Sequence, residues 1–283
     1  MKKVLKKSMF LAILAFITFN VSAQSATKEI GLQLWSIRMD MNKDAAATLA
    51  EVGNMGYTFI EAASYGDGKF YGIEPAEFKT LLNKNGLDFL SSHCGHDLPD
   101  QDNWDKTMEW WDVCIDAHAA AGVKYIVQPS MDSKGYGSIE DLKRFCDYFN
   151  AVGEKCNDKG IRFGYHNHDK EFEEVDGVVR YDYMLQNTDP KKVMFQLDLY
   201  WIMVGGKDAV TYFKNYPKRF EMWHVKDKKE LGESGMMDFE PIFAAKRKSG
   251  AKHIIVEVEE YNYTPLVSVQ KSLEYLLEAD YVK

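Results

Sequence analysis

RFGYHNH, residues 162–168, is a β-type run that ends in two candidate metal ligands, His166 and His168. Three later runs share this build: VMFQLD (193–198) ends at Asp198, EMWHVKD (221–227) carries His224 and Asp227, and HIIVEVE (253–259) carries Glu257 and Glu259. A loop and a helical stretch follow each of them. In a (β/α)8 barrel the C-terminal strand ends converge on one mouth, so ligands far apart in sequence meet around one ion. The four runs therefore predict an α/β fold, a (β/α)8 TIM barrel, with a metal centre at its mouth.

Outward from these runs the same alternation continues over the whole chain. Strand-like segments are predicted near 30–36, 57–63, 87–93, 123–128, 161–167, 192–198, 218–225 and 252–258. Helical stretches are predicted between and after them, near 43–55, 75–85, 104–121, 139–158, 179–187, 207–215, 239–249 and 266–280. Gly56, Gly86, Gly122, Gly160 and Gly250 stand shortly before strands, where a helix C-terminus favours a residue tolerant of positive φ. Asp44, Ser138 and Asp238 stand near helix starts as N-caps. No GxGxxG follows the first strand, which argues against a doubly wound open sheet.

Residues 1–23 are read apart from this pattern. Lys2, Lys3, Lys6 and Lys7 precede the apolar run FLAILAFITF, which ends at Val21-Ser22-Ala23. That is the build of a secretory signal peptide cleaved near Ala23, and the apolar run is short of the roughly 20 residues needed to span a bilayer. The expectation is a periplasmic protein without a stable membrane anchor, its residues 24–283 forming a single barrel domain. Loss of four lysines takes the net charge from −8 to about −12, a balance that repels polyanions and excludes nucleic acid as a partner. Cys94, Cys114, Cys146 and Cys156 show no metal-knuckle spacing and read as buried small residues, with disulfide pairing left open. The oligomeric state is also open, a homo-oligomer included.

Residues two apart on a strand share a face. His166 with His168, Gln196 with Asp198, His224 with Lys226, and Glu257 with Glu259 are thus paired toward the mouth. Two imidazoles and two carboxylates suit a divalent ion such as Mn, Co, Zn or Mg. The expected metal ligands are His166, Asp198, His224 and Glu257, and His168, Glu259 and Lys226 are candidates for catalysis beside them. Trp35, Glu61, His96, Gln128 and Trp201 are candidate substrate-binding residues by the same strand-end geometry, with the aromatics offering faces for a sugar ring.

From GLQLWSIR (Gly31 to Arg38) to VEVEEY (Val256 to Tyr261), the chain resembles the xylose isomerase-like TIM-barrel superfamily of sugar phosphate isomerases and epimerases. The resemblance implies a metal held by Glu, Asp, His and Glu from strands five to eight. Asp198 in QLDLYW, His224 in WHVKD and Glu257 in IIVEVE match the last three. YHNH departs from the pattern: His166 stands in the glutamate place, with His168 as second choice, which disturbs the two-glutamate acid/base pair of the epimerases.

The implied reaction begins with abstraction of the proton α to the carbonyl of a keto sugar or aldose, through an enediolate that a divalent ion stabilises. Return of the proton makes an isomerase or epimerase. Expulsion of a β-substituent makes a lyase or hydratase, and exported relatives with the YHNH signature resemble enzymes of 3-keto-glycosides, from which the aglycone leaves. Two further classes are a non-catalytic sugar-binding barrel and a metal-dependent endonuclease; the acidic balance argues against the second.

Overall fold

A computed structural model describes residues 28–283, and the leader read at residues 1–23 lies outside them. Eight parallel strands close into a barrel: Gly31–Gln33, Phe59–Ala62, Asp88–His93, Tyr125–Gln128, Arg162–His166, Val193–Asp198, Phe220–Val225 and His253–Val256. Each strand pairs with its neighbours in sequence, and the first closes on the eighth with Gly31 opposite Ile255. All eight fall within the segments expected from the sequence.

The inside of the barrel is layered by strand alternation. Phe59, Tyr125, Val127, Met194, Met222 and Ile255 form an apolar plug in its lower part. Two glycines make room for that plug. A Cβ on Gly31 would stand 2.0 Å from the Phe59 ring, and one on Gly164 would stand 2.5 Å from Met194 Cε. One step up each strand the inward side chains turn polar: Gln33, Glu61, Ser91, Gln196 and His224 are all buried. The large core lies between barrel and helices and includes Trp111, Phe149, Phe163 and Trp223. Burial of a large apolar side chain of this kind contributes about 1.5–3 kcal/mol.

The helices behind the strands include Ala45–Met55, Pro75–Lys84, Trp104–Ala121, Ile139–Asp158, Arg180–Asn187, Ala209–Asn215 and Pro265–Glu278. Asp44 accepts from Ala47 N at 3.0 Å and Ser138 Oγ from Asp141 N at 3.1 Å, so both cap as expected. Asp238 is a correction: it stands at the start of Phe239–Ala244 without a capping bond, and Ala245 separates that helix from Lys246–Ser249. The short helices Arg38–Lys43 and Leu199–Val204 had no counterpart in the sequence reading. The second is initiated by Asp198, whose Oδ1 accepts from Tyr200 N at 2.9 Å and Trp201 N at 2.8 Å. Among the described residues no helix is long and apolar enough to cross a membrane.

Candidate active site and metal centre

The ends of strands five to eight bring His166, Asp198, His224 and Glu257 together, with one donor atom of each lying within 4.8 Å of the others. His224 Nδ1 is 3.1 Å from Glu257 Oε2 and 4.0 Å from Asp198 Oδ2. His166 Nδ1 and Asp198 Oδ2 are buried with no hydrogen-bond partner among the described residues. Buried polar atoms are rarely left so. Two imidazole nitrogens and two carboxylate oxygens, two of the residues carrying an orphaned atom, fit a divalent cation.

Burial and the neighbouring charges shift each titratable group of the cluster. Burial pushes the Asp198 carboxyl up to about 7. Burial also disfavours a charged His224, but Glu257 and Glu61 on either side outweigh it and hold its pKa at about 10. Burial works against Glu257 too, yet Lys226 and His224 keep it well below the carboxylate range. His166, enclosed and surrounded by other imidazoles, is held well below the usual histidine value.

Glu61, from the second strand, is a correction to the sequence reading. Rather than facing the substrate space it is wholly buried, and its two oxygens are shared among five neighbours. Oε1 meets His224 Nε2 at 2.6 Å, Gln33 Nε2 at 2.8 Å and His93 Nε2 at 3.0 Å. Oε2 accepts from Ser91 Oγ at 2.5 Å and Gln196 Nε2 at 2.8 Å. With its partner atom on Nε2, His224 turns Nδ1 toward Asp198 and Glu257. A carboxylate behind a ligand histidine fixes its tautomer and raises its basicity.

Above the cluster is a cavity of about 280 Å³ walled by Trp35, His93, His166, His168, Glu257 and Glu259, among others. Lys226 is almost fully buried and ties two of these walls together, donating to Glu257 Oε2 at 3.2 Å and to Glu259 Oε2. Trp35 is 43% exposed at the rim, with the Arg38 guanidinium 4.6 Å from its ring centre. A larger groove of about 1350 Å³, lined by Lys218, Glu221, Lys246 and Lys252, lies at the opposite end of the barrel, where the strands begin. It holds none of the candidate site residues.

Three other expected substrate contacts stand elsewhere. Gln128 is buried and spends its amide on the His96 and Ser130 carbonyls at 3.1 and 2.9 Å. His96 lines a neighbouring groove with Gln128 and packs edge-on against Trp110 at 5.2 Å. Trp201 stands behind the cavity wall, its ring 5.0 Å from Lys226 Nζ and 5.8 Å from the His168 ring. His93, at the end of the third strand, lines the cavity and meets Gln196 Oε1 at 2.7 Å. Asn167 and Glu171 were missed. Asn167 Oδ1 accepts from Asp198 N at 3.1 Å, and Glu171 accepts from Tyr165 Oη at 2.6 Å and from His168 N at 2.9 Å. Both fix the loop that carries the two histidines.

Residues 49–279 match the model of the xylose isomerase-like TIM barrel family. A sugar phosphate isomerase/epimerase from Parabacteroides distasonis is 36% identical, with a TM-score of 0.85 over 90% of this chain and 100% of that one. An Escherichia coli 3-keto-D-glucoside 4-epimerase, at 18% identity and TM-score 0.68 over 88% of this chain and 98% of that one, shares the fold. Among curated proteins, the inosose dehydratase of Lacticaseibacillus casei is 25% identical over 173 residues, 52% of this chain and 57% of the dehydratase. That match spans little more than half of the dehydratase's length.

Proposed function

Because the chain belongs to the xylose isomerase-like TIM barrel family, we propose that it is a divalent-metal-dependent enzyme acting on a keto sugar or aldose. Its first step is removal of the proton α to the carbonyl, and return of that proton makes it an isomerase or epimerase. The observation that carries this reading is the convergence of His166, Asp198, His224 and Glu257 beneath a cavity sized for one sugar ring. These four residues would hold the ion, and a bound Mn, Co, Zn or Mg ion supplies Lewis-acid polarisation that acidifies the C–H beside a carbonyl.

The remaining work falls to the chain's own side chains. His168 opens onto the cavity, and burial holds its pKa below the usual value, which keeps a lone pair free to accept a proton near neutral pH. Glu259 offers a second oxygen for proton return on the same cavity, and the Lys226 ammonium steers it. Trp35 presents a flat apolar face at the rim on which a sugar can lie.

A second reading is elimination, in which the same proton leaves and a β-substituent departs, as from a 3-keto-glycoside. The inosose dehydratase relatives favour it, as does His166 in the place where the family's epimerases carry a glutamate. The leader at residues 1–23 supports an exported enzyme, and an exported enzyme favours an unphosphorylated substrate.

Proton NMR in D2O tests both readings, with Mn-loaded protein given free ketoses and a 3-keto-glucoside. Deuterium at the carbon beside the carbonyl with the aglycone retained is the expected result for an isomerase or epimerase. Aglycone release establishes elimination. Neither signal with any divalent ion leaves a sugar-binding barrel without chemistry.

A further inference from the structure

Away from the mouth, Cys94 Sγ and Cys114 Sγ approach to 3.4 Å in the core between barrel and helices. The sequence arranges this meeting in two ways. His93, the last residue of the third strand, points into the cavity, so Cys94 after it points outward; its N–H still donates to Val127 O at 2.9 Å and holds it in the sheet. Cys114 belongs to the buried stripe of the helix Trp104–Ala121, with Thr107, Met108, Trp111, Ile115 and His118. The strand and the helix that follows it are therefore already docked with two sulfurs in contact.

We propose that Cys94 and Cys114 form a disulfide that clips the third strand to its own helix. All four cysteines are free thiols in the structure, and Cys146 and Cys156 stay free in the proposed form. Closing the bond requires the sulfurs to move from contact at 3.4 Å to a bonding distance of about 2 Å. The loop it closes spans 20 residues and carries His96, which lines the groove beside the cavity.

The oxidant is a disulfide-bearing thiol compound or oxidoreductase, the class present in the oxidising compartment that the leader at residues 1–23 would reach. Cys94, 7% exposed, reacts first: its thiolate attacks one donor sulfur, and the other donor sulfur leaves with the bonding pair and takes up a proton. Cys114 then attacks Cys94 Sγ and expels the second donor thiol. Two protein thiols have lost two electrons and two protons, and one donor disulfide has become two thiols.

The test is peptide mapping of the full-length wild-type protein equilibrated with oxidised glutathione, alkylated under denaturing conditions. Two alkylated cysteines, Cys146 and Cys156, with one reducible peptide joining Cys94 to Cys114, is the expected result. Reduction should then lower the melting temperature by about 5–10 °C. Cys146→Ser should keep the linked peptide and Cys114→Ser abolish it. Four alkylated cysteines, or a link that joins Cys94 to Cys156 instead, overturns the assignment.

Discussion

His224 Nε2 and Glu61 Oε1 meet at 2.6 Å in the floor of the site, both side chains wholly buried. A carboxylate from the second strand thereby decides how an imidazole from the seventh faces Asp198 and Glu257. Burial alone would raise the Glu61 pKa, but His93 and His224 outweigh it and keep the group charged. In the proposed metal centre the pairing gives strand two a part although it supplies no ligand.

Glu61→Gln should therefore weaken Mn binding by about 10–100-fold, the usual consequence of losing a partner behind a ligand histidine. Isothermal titration with Mn measures it directly. An unchanged Kd in a folded Glu61→Gln protein would remove this role from Glu61.

Asp198 serves two purposes that substitution can separate. Its Oδ1 caps the helix Leu199–Val204, and its Oδ2 is the orphaned atom in the ligand cluster. Asp198→Asn keeps an acceptor for the cap and removes the charge, so it should abolish metal occupancy while the metal-free protein melts close to the parent. Asp198→Ala should lose the cap as well, a further cost of about 1 kcal/mol. Elemental analysis and thermal melts of both variants separate the two effects. Full activity in a metal-free Asp198→Ala protein would count against the whole mechanism.

The barrel was legible because its signals are local: each strand end carries its own polar residues, and Gly56, Gly122 and Gly250 mark helix ends with φ of 104°, 82° and 94°. The depth of a residue in the barrel was not. Alternation places Glu61 on the inner face but says nothing of its height, which comes from register: Glu61 lies opposite Gln33 on one side and Ser91 on the other, one layer below the cavity. Gln128 and His96 were misread for a similar reason, since a place at or just after a strand end does not say which of two neighbouring hollows a side chain will line. The helix Leu199–Val204 escaped notice because LYWIMV has no polar residue to show a helical period; its start is set by Asp198, read from sequence as a ligand alone.

Packing makes a prediction independent of chemistry. Gly153 lies on the buried face of the helix Ile139–Asp158, where an added Cβ would stand 2.3 Å from the Lys192 carbonyl oxygen. Alanine favours a helix over glycine by about 1 kcal/mol. Here the overlap is with backbone leading into the sixth strand, which cannot swing aside, and overpacking of this kind costs about 1–3 kcal/mol. Gly153→Ala should accordingly be destabilised in a urea melt, with the midpoint lowered and the slope unchanged. A raised midpoint would mean that the strand start yields more easily than its pairing implies.

Lys226 presents the sharpest separation between binding and turnover. Its ammonium bonds Glu257, an expected ligand, and Glu259, an expected proton carrier, and it stands over the Trp201 ring. Lys226→Met keeps most of the stem and deletes the charge. In the metal-free protein this leaves Glu257 with His224 as its remaining cationic partner, and breaking a buried pair in this way costs about 3–5 kcal/mol. A divalent ion restores positive charge at that point, so Mn should raise the melting temperature of Lys226→Met by more than it raises that of the parent. Turnover should move the other way, falling by about 10²–10⁴-fold as expected for a group that positions a proton carrier. Metal titration by thermal shift, run beside steady-state kinetics on the Mn-loaded variant, reads both effects. If Lys226→Met failed to take up Mn, the lysine would belong to the metal site itself rather than to the proton-transfer machinery beside it.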